Sequence, residues 1–145
     1  MILIYTLSVQ MPETNTPAST YELDGNYLIG RSSFCDIVIP NKFVSGVHCT
    51  LILMPPDSEH HFFYYVIKDG NIYTGDRSLN GTWVNGLQVV SEFEHKRNQL
   101  SITSVELRHE DVIAFGGKQA PKAVFKVQDL EGLEGDETGT FSEDI

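Results

Sequence analysis

Apolar and polar positions alternate along the start of the chain. Leu3, Tyr5, Leu7 and Val9 fall on one side of a pleat, as a half-buried strand requires. The polar, proline-bearing run MPETNTPAST that follows reads as a loop. Tyr21 to Leu23 and Tyr27 to Ile29 then flank Asp24-Gly25-Asn26, a tight-turn signal because Gly and Asn tolerate positive φ, and the pair is predicted to form a hairpin. Further short apolar runs follow at Ile37–Ile39, Cys49–Met54, Phe62–Lys68, Thr82–Val84, Leu87–Val90, Gln99–Leu107, Val112–Phe115 and Ala123–Val127. Between them stand Pro40-Asn41, Pro55-Pro56-Asp57, Asp69-Gly70-Asn71, Asn80-Gly81, Asn85-Gly86 and Gly116-Gly117, all turn formers. No window sustains a 3.6-residue period. Many short strands at this rhythm predict an all-β sandwich or barrel with its functional groups on loops.

From residue 129 the pattern stops. QDLEGLEGDETGTFSEDI has little to bury and much to repel, so the chain divides into a folded body over 1–128 and an acidic, disordered tail over 129–145. The formal net charge of −10 divides the same way. Ten Lys and Arg face thirteen carboxylates before residue 129, and the tail adds seven carboxylates with no cation. A body so near balance has no basic face for nucleic acid, yet it can still hold a local cationic site. The apolar N-terminus lacks the basic flank and cleavage site of a secretory leader, and no run is long enough to cross a bilayer as a helix. Cys35 and Cys49 are too few for a disulfide framework and read as reduced, partly buried thiols, which places the chain in the cytoplasm.

Candidate chemistry is sparse. Ser45 and His48 lie three residues apart, a separation that does not by default make a nucleophile and base, and no G-x-S-x-G surrounds the serine. His60-His61 beside Asp57 and Glu59 could hold a stray metal, but neighbouring strand residues point to opposite faces, and a polar loop leading into Phe62 is the better reading. Trp83, Tyr73 and the aromatics from Phe62 to Tyr65 read as packing positions. Neither catalysis nor a cofactor is expected.

One ordered set of motifs stands out. Gly30-Arg31 closes a strand, Ser45 and His48 follow, then Ser78-Leu79-Asn80-Gly81-Thr82, Val84-Asn85-Gly86, and Leu107 with Asp111-Val112-Ile113 and Phe115-Gly116. Together these resemble the forkhead-associated (FHA) domain, with its G-R, S-x-x-H, S/T-x-N-G-T, V-N-G and L-x-x-x-D-x-I-x-F-G, over roughly residues 21 to 127. Each piece alone is common. Five in order at fitting separations are not.

The resemblance implies a β-sandwich of about ten to eleven short, mostly antiparallel strands with recognition loops at one end. It implies a module that binds phosphothreonine-containing proteins downstream of Ser/Thr kinases. Arg31 would supply a planar fork of donors to the phosphate and Ser45 a hydroxyl. Ser78, Leu79 and Asn80 would form the second recognition loop, with Asn80 reading ligand main chain. Gly30, His48, Gly81, Asn85 and Gly86 would support the loops. Two positions depart from the family pattern. Gly46 stands where many members have Asn, Arg or Lys, and Leu79 where many have Thr. Lys42 could compensate as a point charge, and the Gly46 N–H could join an anion-binding concavity. A second reading is a phospho-independent scaffold or self-association domain. Thr138 and Thr140, set among tail carboxylates, could be ligands for Arg31 once phosphorylated.

Overall fold

A computed structural model describes residues 2–12, 17–90 and 103–130. The described chain is an all-β sandwich of eleven strands. They are β1 (Leu3–Gln10), β2 (Ser19–Leu23), β3 (Tyr27–Gly30), β4 (Ile37–Val38), β5 (Cys49–Met54), β6 (Tyr64–Asp69), β7 (Thr82–Val84), β8 (Leu87–Val89), β9 (Val105–Glu106), β10 (Asp111–Ala114) and β11 (Lys122–Asp129). One sheet has the order β2-β1-β11-β10-β7-β8 and the other β4-β3-β5-β6-β9. All pairings are antiparallel except β3 with β4.

Alternation places one face of each strand inside. Leu7, Val84, Ile113 and Phe125 from the first sheet meet Ile29, Ile37, Leu51 and Ile67 from the second, all buried. Tyr5, Tyr65 and Phe125 form an aromatic cluster with ring centroids 5.5 to 6.0 Å apart. β1 and β11 pair along their full length inside the first sheet, with Leu3 opposite Asp129 and Gln10 opposite Lys122.

The hairpin predicted around Asp24-Gly25-Asn26 does not form. β2 pairs with β1 and β3 pairs with β4 and β5, so the segment carries the chain from one sheet to the other. Longer partners elsewhere outcompete the local one: β2 gains five paired positions on β1. Asn26 Oδ1 accepts the Leu53 N–H (2.8 Å), and the Tyr65 hydroxyl donates to Gly25 O (2.8 Å), which fixes the corner. The Asn85-Gly86 signal gives a true two-residue hairpin between β7 and β8, with φ of 49° and 85° as a type I′ turn requires. Of the strand expected over Gln99–Leu107, only Val105–Glu106 is seen as β9, and 91–102 lie outside the described residues. β11 runs through Asp129, beyond the expected body boundary at 128. Residues 131–145, with Thr138 and Thr140, lie outside the described residues.

The strand directions define two poles. One gathers the end of β3, the start of β5, the end of β6, the start of β7 and the β10–β11 connection. The opposite pole holds the β2–β3 corner, the β5–β6 connection and the last residue of β11.

Candidate functional site

The first pole is built on a close backbone contact. A Cβ on Gly30 would run into the Gly46 carbonyl and the Val47 Cα, so only glycine lets the end of β3 lie against the 45–47 segment. The contact is zipped by Arg31 N–H to Ser45 O (2.9 Å) and Ser32 N–H to Gly46 O (3.0 Å). Arg31 and Ser45, fourteen residues apart in sequence, are thereby fixed side by side. Arg31 is exposed, and among the described residues no carboxylate pairs with its guanidinium. A planar cation with five donors therefore faces solvent at the pole.

His48 ties this loop to the next. It is fully buried, with its ring edge-on to Phe115 at 5.5 Å. Nδ1 accepts the Ser45 N–H (3.1 Å), which requires the proton on Nε2, and Nε2 donates to Gly81 O (2.7 Å). Burial pushes its pKa down, against the opposing pull of the Gly81 carbonyl, so the ring is held neutral. Because both ring nitrogens are engaged with backbone, His48 has no lone pair left to activate the Ser45 hydroxyl. The triad arrangement is absent in chemical terms.

Ser45 Oγ instead accepts the Leu79 N–H (2.8 Å). Its own hydroxyl hydrogen remains available to an acceptor at the surface beside Arg31. The Gly46 N–H, next in the chain, donates no hydrogen bond among the described residues. A Cβ on Gly46 would stand 3.1 Å from Ser32 Oγ, so Ser32 also borders the site. Lys42 is exposed, with Nζ 5.3 Å from the centre of the Phe43 ring, a cation–π position.

The second loop is anchored by Asp69. Its carboxylate accepts from the Ser78 hydroxyl (2.6 Å), the Ser78 N–H (3.0 Å) and the Thr82 hydroxyl (2.6 Å). Ser78 Oγ in turn accepts the Gly81 N–H (3.0 Å). Ser78 is buried and its one donor is committed inside, so it acts as a loop staple with nothing left to offer a ligand. Asn80 is exposed and donates one amide hydrogen to Phe43 O (2.9 Å), bridging the two loops. Its carbonyl and second hydrogen stay free for a ligand backbone. Leu79 turns its side chain outward at 88% exposure, the most exposed large apolar residue described.

Beside these loops lies a pocket of about 290 Å³ lined by Asp69, Arg77, Asn80, Gln88 and Val90 among others, with Leu79 on its rim. Gly81, at φ 90°, closes its floor against Gln88 and Trp83.

Arg31, Ser45, Gly46, Leu79 and Asn80 are thus brought together on loops that Gly30, His48, Ser78 and Gly81 hold. Asn85 and Gly86 are not part of that assembly. Asn85 exchanges hydrogen bonds with Val112 and donates to Asp111 (2.8 Å), pinning β7 to β10 four residues away from Gly81. Sequence reasoning missed Ser32 and Asp69, and it named Thr82 only as a motif position without a role. Asp69 looked like a turn residue because it precedes Gly70-Asn71, and nothing local marked it as the acceptor for a loop nine residues away.

The FHA domain family profile matches residues 27–116. The chain is 39% identical over 70 residues to a probable serine/threonine-protein kinase, fhkA, of Dictyostelium discoideum, which covers 45% of this chain and 10% of the kinase. It is 28% identical over 137 residues to the E3 ubiquitin-protein ligase CHFR of Xenopus tropicalis, covering 90% of this chain and 20% of the ligase. The chain therefore spans a small fraction of the length of these relatives. Among solved structures, the MEK1 FHA domain superposes with a TM-score of 0.60 at 25% identity, covering 86% of this chain and 89% of that one. The same domain with a phosphothreonine peptide of HOP1 superposes at 0.55 and 24% identity, covering 85% and 97%. Motif order, two-sheet topology and the profile match agree: the chain belongs to the FHA domain family.

Proposed function

We propose that the first pole binds a phosphothreonine in a partner protein and that the chain recruits such partners downstream of a Ser/Thr kinase. One observation carries this: an exposed arginine with no carboxylate partner among the described residues has its main chain bonded to that of a serine whose hydroxyl hydrogen is free. Arg31 takes two phosphate oxygens, Ser45 Oγ donates to a third, and the Gly46 N–H adds a backbone donor where a larger family residue would supply a side chain. Each bond to a charged group contributes roughly 1.5–3 kcal/mol, so these four supply roughly 6–12 kcal/mol, which brackets the roughly 8 kcal/mol of a micromolar site without Lys42. Asn80 holds the ligand main chain, and the pocket beside Leu79 takes a flanking ligand side chain. The phosphothreonine-bound MEK1 FHA domain supports the same use of this fold.

The folded unit extends through β11 and the acidic segment after it is a separate tail. Both ring nitrogens of His48 are committed to backbone, and the site needs no metal or cofactor for binding, which supports reading the chain itself as an interaction module. Both cysteines are buried and free, which suits a reducing cytoplasmic setting, and among the described residues no helix is long and apolar enough to cross a membrane.

The decisive experiment titrates a phosphothreonine peptide library against wild type and Arg31→Ala. Arg31→Ala is expected to lose at least about tenfold in affinity, the lower bound for one charged hydrogen bond; equal binding refutes the reading. The 88% exposure of Leu79 in place of a polar donor favours a second reading, a phospho-independent scaffold surface. That reading predicts partner capture that survives both phosphatase and Arg31→Ala.

A further inference from the structure

The sandwich is electrically polar along its long axis. At the recognition pole five cations, Arg31, Lys42, Arg77, Lys118 and Lys122, are exposed against two carboxylates, Asp69 and Asp76. Lys118 and Lys122 belong to this pole because the turn between β10 and β11 packs against it: a Cβ on Gly116 would meet Asn80 and Phe43. At the opposite pole stand Asp24, Asp57, Glu59, Glu106, Glu110 and Asp129, with Arg108 the only Lys or Arg of the described residues in those connections. A body with a net charge near zero thus separates its charges end to end. Opposite poles of two copies attract, and the effect weakens with salt.

The direction of β11 sets where the tail leaves. β11 runs from Lys122 at the recognition pole to Asp129 at the acidic one, and Leu130 N–H is held by Ile2 O (2.9 Å). The tail therefore departs from the end opposite Arg31. Returning along β11 to Lys122 alone takes about 23 Å at the rise of a strand, and crossing to the loops of the second sheet adds about 10 Å. From Leu130, a fully extended chain reaches about 27 Å at Thr138 and about 34 Å at Thr140. Thr138 and Thr140 therefore meet Arg31 of their own body only with the intervening residues stretched well beyond the roughly 15–19 Å that a flexible segment of that length spans on average, which lowers the effective concentration for docking in cis.

From this geometry we infer that the tail, phosphorylated on Thr138 or Thr140, is a ligand for the recognition pole of a second copy of this chain. The inference rests on the phosphothreonine reading of Arg31 and Ser45. A Ser/Thr kinase transfers the γ-phosphoryl of ATP to the threonine oxygen: a new P–O bond forms, the bond to the ADP oxygen breaks, and the hydroxyl proton is released. The phosphate then meets Arg31 of the second copy, and the carboxylates around it, Asp136, Glu137 and Glu143, meet that copy's cationic pole. Head joins tail through different surfaces, so the contact can propagate beyond a dimer.

The full chain carrying phosphothreonine at 138 or 140, made by ligation, tests this by light scattering across a concentration series. The expected result is a mean mass that rises with concentration to at least twice that of the monomer and returns to monomer after phosphatase. A mixture supplies the directional control. Phosphorylated Arg31→Ala chain and unphosphorylated wild type each stay monomeric alone and form a one-to-one complex together. The inference is overturned if the phosphorylated chain stays monomeric while a foreign phosphothreonine peptide binds it. It is equally overturned if that foreign peptide is excluded at every concentration without a rise in mass, which would signify docking in cis. If no phosphothreonine peptide of any origin binds, the reading of the site itself fails first.

Discussion

His48 offers the sharpest separation between holding the loops and binding the ligand, because its two nitrogens serve two different loops. His48→Ala strands the Ser45 N–H and the buried Gly81 carbonyl and opens a void against Phe115. Each orphaned group costs about 1–3 kcal/mol, so the two together cost the variant about 2–6 kcal/mol of the 5–15 typical for a domain, and its affinity is read at a temperature where denaturation shows it folded. Affinity for a phosphothreonine peptide should fall about tenfold or more, since the Ser45 backbone loses the bond that orients it. Two conservative variants divide the effect. An Asn amide lies near the position of Nδ1 and can accept from Ser45, whereas a Gln amide reaches the position of Nε2 and can donate to Gly81. His48→Asn should keep peptide affinity within about threefold while losing part of the stability, at the magnitude of one hydrogen bond. His48→Gln should recover stability and leave affinity low. Urea denaturation and calorimetric titration measure the two quantities on the same samples. Equal affinity of the Asn and Gln variants, or a cost of His48→Ala below about 0.5 kcal/mol, would refute the bracing role. The same residue gives a pH signature. Its folded pKa lies below the unfolded value, so its contribution is present above the ordinary histidine pKa and is lost as pH falls through the folded value. His48→Asn should flatten that acid-side loss.

Three further outcomes follow from the same contacts. Ser45→Ala removes the donor offered to phosphate and the acceptor for the Leu79 N–H, so calorimetry should record a loss of about ten- to a hundredfold in affinity with stability lowered by no more than about 1.5 kcal/mol. Gly30→Ala forces a methyl onto the backbone of Gly46 and Val47, and denaturation should show a loss of about 1–3 kcal/mol together with amide shifts concentrated at 45–47. At the opposite pole His60 lies between Glu106 (2.9 Å) and Asp57 (2.8 Å) and stacks on Tyr64. Its hydrogen bonds to Glu106 and then Asp57 raise its pKa, so its contribution to stability is present below the ordinary histidine value and is lost as pH rises through the folded one. Asp57, held down to about 2 mainly by His60, contributes above its ordinary value and loses that as pH falls through about 2. His60→Gln should flatten the alkaline side of a melting-temperature profile without moving phosphopeptide affinity; an unchanged profile would sink this account.

Local patterning carries far in this chain because strands announce themselves by alternation and turns by residues that tolerate unusual φ. Leu7 and Val9 are buried as their spacing implies, Asn85-Gly86 turns a hairpin, and Gly30-Arg31 ends a strand. The ordered motifs also implied which loops would meet, and Arg31, Ser45, Leu79 and Asn80 do lie together.

Pairing across space was not legible. Asp24-Gly25-Asn26 carries as strong a turn signal as Asn85-Gly86, yet it makes a crossing between sheets, since a strand's choice of partner depends on every other strand competing for it. Nor could spacing show that Ser78 gives its hydroxyl to Asp69, or that Asn85 serves β10 instead of the loops, because side-chain hydrogen bonds are settled by what lies within 3 Å and not by neighbours in sequence. The tail shows the division most plainly. Its charge and its threonines are properties of the sequence alone, whereas the end from which it departs is set by the direction of β11, a consequence of how many strands the chain lays down before it.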